Sequence, residues 1–323
     1  MKIVIDAMGG DNAPYAIVKG ACRAARECDV EIILTGDKEK ISPLVENNQN
    51  IEIVHTTEEI TCFDDPTSAV KSKKDSSMVK GLTMVKNNEA DGFISAGSTG
   101  ALISAATLYV RRMKGVRRMA LAPVLPFNGY NLLLMDSGAN MDCTAEFLLQ
   151  FAVMGSIYMK SVLNIDRPRV GLLNVGVEET KGDTLTKEAY SLLKDAPINF
   201  IGNIESREVL NDVADVIVCD GFAGNVLLKG IEGVLGFFGK EIKLMFTKNM
   251  RTKMAAVMLS KELGEFKKKL KPEDVGGAPM LGANGLVIKM HGNAVEEDVY
   301  NAVRQAMEFV KKDVNSEIKK YLD

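Results

Sequence analysis

The chain has 323 residues, 46% of them apolar, which suffices for one large α/β domain or two coupled ones around a substantial core. Aromatics reach only 6%, tryptophan is absent and methionine numbers 17, so that core is aliphatic and padded with methionine. A net charge of −3 argues against general nucleic-acid binding, and neither a signal peptide nor an apolar run long enough to span a bilayer is expected.

In chain order, β-type runs fall at residues 2–6, 31–35, 51–55, 92–95, 121–124, 131–136, 169–173, 198–201, 216–219 and 287–289. Helical patterns separate most of them, at 14–27, 78–87, 101–112, 144–161, 184–193, 225–238 and 295–321. Such alternation predicts a mostly parallel sheet with helices on both faces, in which ligands bind beyond the carboxyl ends of the strands. The five cysteines (Cys22, Cys28, Cys62, Cys143, Cys219) are scattered, which suits a reduced cytoplasmic protein better than a disulfide framework or a zinc site. His55 and His291 are the only histidines, which leaves little room for a His-based metal site or a Ser-His-Asp triad.

The loops after the strands carry the candidate chemistry. Asp6-Ala-Met-Gly-Gly-Asp11-Asn-Ala-Pro14 permits a tight loop whose two carboxylates orient a cation or a donor; as alternatives, Asp11 caps the following helix and Asp6 holds a loop N–H. Lys71-Ser-Lys73-Lys74-Asp-Ser76-Ser77 reads as a greeting for phosphate or an acidic partner, or as a solvated face. Asp91-Gly-Phe-Ile-Ser-Ala-Gly97-Ser98-Thr99-Gly100 is a buried strand feeding a glycine turn and a helix start, a natural anion cradle, or else an ordinary turn. Asp136-Ser-Gly-Ala-Asn140 ends an apolar strand with residues that form turns and also fix polar substrates. Cys143, just beyond, reads as an inert thiol rather than a nucleophile, since no histidine lies near in sequence.

Asn174 ends the next strand and Lys181 follows in a polar turn from which its ammonium reaches across a cleft, or in which it is surface charge. Asp220-Gly-Phe-Ala-Gly-Asn225 opens a helix, with Asn225 as cap or ligand and Lys229 one turn further on the same face. A long glycine loop from Val275 leads through Asn284 to His291, placed at the sheet's carboxyl edge. Neither a P-loop nor a dinucleotide fingerprint is present. Residues 240–271 differ: ten basic side chains face three acidic ones around an apolar stripe, with Met254, Val257, Met258 and Leu259 at a compact tip. That pattern suits an anionic membrane surface or a helical hairpin packed on a partner subunit.

Together these stretches resemble the acyl-ACP:phosphate acyltransferase (PlsX) family. The matching motifs, in order, are Asp6-Ala-Met-Gly-Gly-Asp11, Lys73-Lys-Asp-Ser-Ser77, Ser95-Ala-Gly-Ser-Thr-Gly-Ala101, Asp136-Ser-Gly-Ala-Asn140, Gly171-Leu-Leu-Asn-Val-Gly176, Asp220-Gly-Phe-Ala-Gly-Asn225, and Gly276-Gly-Ala with His291-Gly292. The resemblance implies one domain over 1–323 with two intertwined subdomains, and a three-layer αβα Rossmann-like fold akin to isopropylmalate dehydrogenases and phosphotransacetylases. It also implies a protruding basic amphipathic hairpin at 240–271 that associates peripherally with membrane. The activity implied is transfer of a long acyl chain from acyl carrier protein to inorganic phosphate by a homodimer without cofactor or metal. The acyl phosphate then feeds a membrane glycerol-3-phosphate acyltransferase in phospholipid synthesis. The family's turn usually has asparagine where this chain has Ser98, and commonly valine at position 137, here Ser137.

Phosphate is itself a nucleophile, so the site has to align it with a thioester and stabilise the oxyanion. The expected holders are Gly97, Ser98, Thr99 and Gly100 with Lys181, then Asn225 and Lys229. Asp6, Asp11, Asp136, Asn140 and Asn174 are further substrate contacts and His291 a candidate acid or base. Two rival readings remain, an NAD-dependent decarboxylating dehydrogenase of similar fold and a non-catalytic regulator that binds phosphate or carrier protein.

Overall fold

The structure, a computed structural model, describes all residues except 46–49, 128, 271–275 and 323, together with the side chains of 267–270. Lys271 of the basic segment, Val275 of the glycine loop and the lysine side chains at 267–269 thus lie outside the described residues.

Two sheets form, where the alternation predicted one. The first has seven strands in the order β3 (Ile51–His55), β2 (Glu31–Gly36), β1 (Lys2–Asp6), β4 (Gly92–Ser95), β12 (Leu286–Lys289), β11 (Ala278–Leu281) and β5 (Ala120–Leu121). The first five run parallel and β11 runs against both its neighbours. The second sheet follows the order β6 (Val124–Phe127), β7 (Tyr130–Met135), β10 (Val216–Val218), β8 (Arg169–Asn174) and β9 (Asn199–Glu205), parallel apart from β6. The run expected at 121–124 is split by Pro123 and shared between the sheets, because proline has no N–H for a ladder.

Twelve α-helices occur among the described residues: α1 (Tyr15–Glu27), α2 (Lys38–Ile41), α3 (Pro66–Ser72), α4 (Ser77–Lys86), α5 (Thr99–Ala105), α6 (Ala145–Leu163), α7 (Thr184–Lys194), α8 (Gly221–Thr247), α9 (Met250–Met258), α10 (Ser260–Leu270), α11 (Glu296–Lys311) and α12 (Val314–Leu322). On one face of the first sheet, α1 and α11 pack Ile17, Val18, Val299 and Val303 against Ile3, Ile5 and Ile94. On the other face, α4 and α5 bring Met78, Leu82 and Leu102 against Val4, Phe93 and Val287. Helix α6 carries Phe151 and Met154 into the same cluster as Leu133, Met135 and Val216, so one aliphatic core runs through both sheets. This is the three-layer αβα arrangement, with the strands buried on both faces and nearly continuous in apolar residues.

Helix boundaries moved for local reasons. The run expected at 295–321 divides into α11 and α12 at Asp313, whose φ of +47° breaks the helical path. The helix expected at 225–238 starts earlier, at Gly221, because Asp220 accepts the Ala223 N–H at 2.8 Å and caps it. It also runs on to Thr247, and by length and composition it is apolar enough to cross a membrane, contrary to the expectation of no such run. Its charges Lys229, Glu232 and Lys240 break the apolar stretch to the eye. Its first turns are committed elsewhere: Ala223, Leu227, Leu228 and Ile231 pack on Leu132, Leu134 and Ile217 of the second sheet. Beyond them the helix is exposed, as are Met254, Val257 and Met258 on α9 and Leu259 just after it.

Helix α8 meets the sheet through a bare backbone. A Cβ at Gly224 would stand 1.9 Å from the Asp136 carbonyl oxygen, whereas one at Gly233 meets nothing within 4 Å. Gly224→Ala is therefore expected to lower unfolding free energy by about 3 kcal/mol through overpacking. Gly233→Ala is expected to raise it by about 0.5–1 kcal/mol by stiffening a helix interior. Urea unfolding of the two variants measures both signs.

Candidate active site

The carboxyl ends of β1, β4 and β12 lie side by side, and their three loops interlock. Asp6 at the end of β1 is buried and gathers them: its oxygens accept from the Ser95 hydroxyl at 2.7 Å, the Met8 N–H at 3.2 Å and the Gly9 N–H at 3.1 Å. The Ser77 hydroxyl at the start of α4 is a fourth donor. Burial still pushes this carboxyl above its ordinary range, against those four bonds. The loops touch so closely that a Cβ at Gly9 would lie 2.6 Å from Asp6 Oδ2 and 2.7 Å from the Gly97 nitrogen. Asp6 thus builds the loop, with both oxygens engaged by the protein, and it does not line the cleft described next.

The predicted turn sits on this platform. Gly97 N–H donates to Ser95 Oγ at 3.0 Å, and Ser98 caps α5 by accepting from Ala101 N–H at 3.5 Å. The amides of Ser98, Thr99 and Gly100 donate to no acceptor among the described residues. Gly97, Ser98 and Thr99 line a cleft of about 710 Å³ between the two sheets, while Gly100 backs onto Pro66. The same cleft takes in Asp11, Asn225, Lys229 and His291 from three further elements, with Ile60, Val124 and Leu125 as an apolar wall. Asp11 does not cap α1, whose N-terminus has no side-chain cap. Its N–H is held by the Gly292 carbonyl at 2.7 Å.

Lys289, the last residue of β12, is the group that the sequence reading passed over. It pairs in register with Ser95, is 9% exposed and lines the cleft. Its ammonium donates to the carbonyls of Ala96 and Met290, the residues that lead into the 97–100 turn and into His291. Burial pushes it down to about 8, with Lys229 adding to the shift and Asp6 and Asp11 opposing it. A lysine is seldom this buried without a reason, but its burial is visible only in three dimensions.

The other expected residues are distributed as follows. Asn225 faces the cleft from the first turns of α8, across from Gly138. Lys229 is ion-paired to Glu232 at 2.7 Å on the same face. Exposed His291 accepts the Asn293 N–H at Nδ1, 3.3 Å away, so the neutral ring carries its proton on Nε2. Asp136 is fully buried, and its oxygens accept from Leu121 N–H at 2.9 Å, Asn140 N–H at 2.6 Å and Asn140 Nδ2 at 2.9 Å. Asn140 spends its other donor on the Met119 carbonyl at 2.8 Å. Both fold the turn; neither lines the cleft, and Asn140 lines a second cavity beside it. Burial pushes the Cys143 thiol up to about 12, which suits an inert thiol.

Asn174 and Lys181 do not line the cleft of their own chain. Asn174 ties its own loop, donating to the Lys181 carbonyl at 3.2 Å and accepting the Val175 N–H at 2.8 Å. Asn174 lines an apolar groove of about 780 Å³ with Phe222, Val226 and Val234, on the face of α8 opposite the cleft. Within one chain, the helix therefore separates this loop from the 97–100 turn. In the lysine run, Lys73 is bound to Asp64 at 2.8 Å, which with the Thr61 donors holds that carboxyl down at about 2, while Lys71 and Lys74 stay exposed.

Residues 1–317 match the model of the "Fatty acid synthesis protein" family. The "Phosphate acyltransferase" of Oceanobacillus iheyensis is 50% identical over 319 residues, covering 98% of this chain and 96% of the relative. That of Thermoanaerobacterium thermosaccharolyticum is 44% identical, covering 100% and 97%. Among solved structures, a phosphotransacetylase from Streptococcus pyogenes superposes with a TM-score of 0.65 at 18% identity, over 96% of this chain and 94% of that one. A putative 4-hydroxythreonine-4-phosphate dehydrogenase from Salmonella typhimurium gives 0.53 at 11% identity, over 95% and 98%. These likenesses establish the fold, shared by transferases and dehydrogenases alike.

The lowered Lys289 ammonium has a thermodynamic consequence. Between pH 8 and 10.5 the unfolded chain keeps a proton that the folded chain has released, so stability rises with pH across that window. Below 8 both states carry the proton and the burial penalty is fully expressed. Lys289→Met is expected to be more stable than the parent at pH 7, by an amount that shrinks as the pH approaches 10. Urea unfolding along a pH series reads the difference; a constant gap would place the ammonium in solvent.

Proposed function

The chain belongs to the family of fatty acid synthesis proteins, and we propose that it transfers a long-chain acyl group from acyl carrier protein to inorganic phosphate, forming acyl phosphate. Acyl transfer to phosphate is the activity for which its full-length relatives are named. The dehydrogenase reading has only fold likeness at 11% identity behind it. The carrier-protein donor, and delivery of the product to a membrane glycerol-3-phosphate acyltransferase for phospholipid synthesis, are the finer parts of the proposal.

One observation carries it: unbonded amides and a buried ammonium share a cleft with an apolar wall. Phosphate needs donors and positive charge, and the acyl thioester needs an apolar seat. The amides of Ser98 and Thr99 hold phosphate oxygens, and Lys289 supplies a charge that low-dielectric surroundings make strong. Backbone donors leave little for the side chain at position 98 to do, which accounts for serine in place of the usual asparagine. Asn225 and Lys229 close the site from α8.

A phosphate oxygen attacks the thioester carbonyl, the new C–O bond forms, and the C–S bond breaks. The proton released by the attacking phosphate monoanion goes to the departing sulfur, and His291 Nε2–H steadies that sulfur by donating a hydrogen bond to it. Lys289→Met should lower kcat/KM for phosphate about a hundredfold, the scale set by losing one donor from a developing anion. The assay is mass-spectrometric detection of acyl phosphate from palmitoyl-loaded carrier protein and phosphate. A parent protein that binds both and makes no acyl phosphate would be a regulator. Equal loss in Lys181→Ala would mean that a second chain brings its loop across to the cleft, as a homodimer permits.

The exposed α8–α10 segment supports a peripheral membrane contact of a cytoplasmic enzyme, the homodimer using neighbouring apolar surface. Val257 and Met258 are 74% and 82% exposed, so charge there does not disturb a core. The double change Val257→Asp with Leu259→Asp should abolish binding to anionic liposomes and leave activity on soluble substrate unchanged; persistent binding would move the contact elsewhere.

A further inference from the structure

Beside the cleft lies a second cavity of about 630 Å³, and four guanidinium groups stand around it: Arg111, Arg112, Arg117 and Arg118. All four residues are exposed, and no ion pair ties any of them to a carboxylate among the described residues. The electrostatic effect of Arg117 on Glu146 is the weakest among the causes that lower that carboxyl. Like charges gathered this way repel one another, so they persist because the loop is fixed from below. Met113 N–H donates to the Gly282 carbonyl at 2.9 Å and Asn284 N–H to the Arg111 carbonyl at 2.8 Å. Arg112 Nη1 donates to the Arg117 carbonyl at 2.6 Å, Arg117 N–H to Gln150 Oε1 at 2.8 Å, and Arg118 lies over the Phe147 ring at 5.3 Å. A guanidinium cluster on a rigid frame matches the geometry of a phosphate group.

The cavity adjoins the cleft along four elements. Met119 lines the cavity and Leu121 the cleft; the same holds for Met280 and Ala278, for Ala139 and Ser137, and for Ile103 and Thr99. Neighbouring positions of each element thus open first to one space and then to the other, so the two are contiguous. A phosphate among the arginines lies outside the cleft that holds the 97–100 turn and is not the attacking group. It has to belong to something that reaches into the cleft and does not itself react at that end.

We propose that the arginine cavity binds the phosphate ester at the base of the acyl donor's arm, a pantetheine phosphate, while the thioester at the far end lies against the 97–100 turn. This rests on the reading above that the donor is a carrier-borne thioester. The cavity then selects the donor by a group remote from the reaction, and the cleft selects the acceptor.

Arg111→Gln combined with Arg117→Gln tests it, since neither side chain makes a hydrogen bond or ion pair among the described residues. Acyl phosphate formation is measured with palmitoyl-4′-phosphopantetheine and with palmitoyl-pantetheine, at saturating inorganic phosphate. The expected result is a KM for the phosphorylated thioester raised about tenfold with kcat little changed, and an unchanged KM for the unphosphorylated one. Equal changes for both thioesters, no change for either, or a raised KM for inorganic phosphate would overturn the assignment. Calorimetric titration with 4′-phosphopantetheine alone is independent of turnover, and binding should weaken about tenfold in the variant. Binding that depends on the arginines in a parent protein that makes no acyl phosphate would retire the proposed reaction and keep this site. No binding to the parent would retire the site itself.

Discussion

A lysine ammonium held out of water where β4 and β12 end is the constraint on which the site depends. Among the described residues, Lys289 reaches no carboxylate, and the carbonyls of Ala96 and Met290 are its hydrogen-bond partners. Those carbonyls belong to the two chain segments that become the 97–100 turn and the His291 loop, so the cation ties both to one point. Asp6 performs the complementary task one strand away, collecting hydroxyl and amide donors from β4, α4 and its own loop. A buried carboxylate at the end of β1 and a buried cation at the end of β12, on either side of β4, set the platform in position and leave three amides without acceptors among the described residues. An isolated buried charge is unfavourable to folding, and the anion proposed above would offset that cost when bound.

The second organising element is α8, which divides the space beyond the second sheet. Asn225, Leu228 and Lys229 look into the cleft, and Phe222, Val226 and Val234 look into the apolar groove behind it. Its start is fixed by the Asp220 cap and by contact of Gly224 with the Asp136 carbonyl. Asp136 is in turn saturated by its own turn and by Leu121 of the first sheet. The two sheets are thereby locked to each other just under the site, which is why Asp136 and Asn140 look like ligands in sequence and act as joinery in space.

What could be read in the sequence followed from periodicity. The strand–turn–helix units that present Gly97, Asn225 and His291 were recognisable because apolar runs stop at polar, glycine-bearing turns, and parallel strands put those turns on one edge. Which edge was not recognisable. Asn174 and Lys181 have the same local pattern as the cleft residues, but they belong to β8, behind α8, and sequence pattern carries no information about which sheet a strand joins. Short antiparallel pieces escaped for a related reason: β11 holds Pro279 and β5 has two residues, too few for an alternation to register. Lys289 was missed because a charged residue closing a strand normally marks the solvent edge, and only the three-dimensional pairing with Ser95 reveals that it is enclosed.

The glycines of α8 give the molecule a mechanical property. Past its anchored first turns, the helix carries Gly230, Gly233, Gly236 and Gly239, none with a neighbour within 4 Å of where a Cβ would be. Glycine weakens a helix interior, and four along one unsupported shaft make a compliant section between the Asp220 anchor and the exposed tip. A load applied at the tip is absorbed as bending in that section before it reaches Asn225 and Lys229. Displacement of the tip therefore leaves the geometry at the anchored end unchanged.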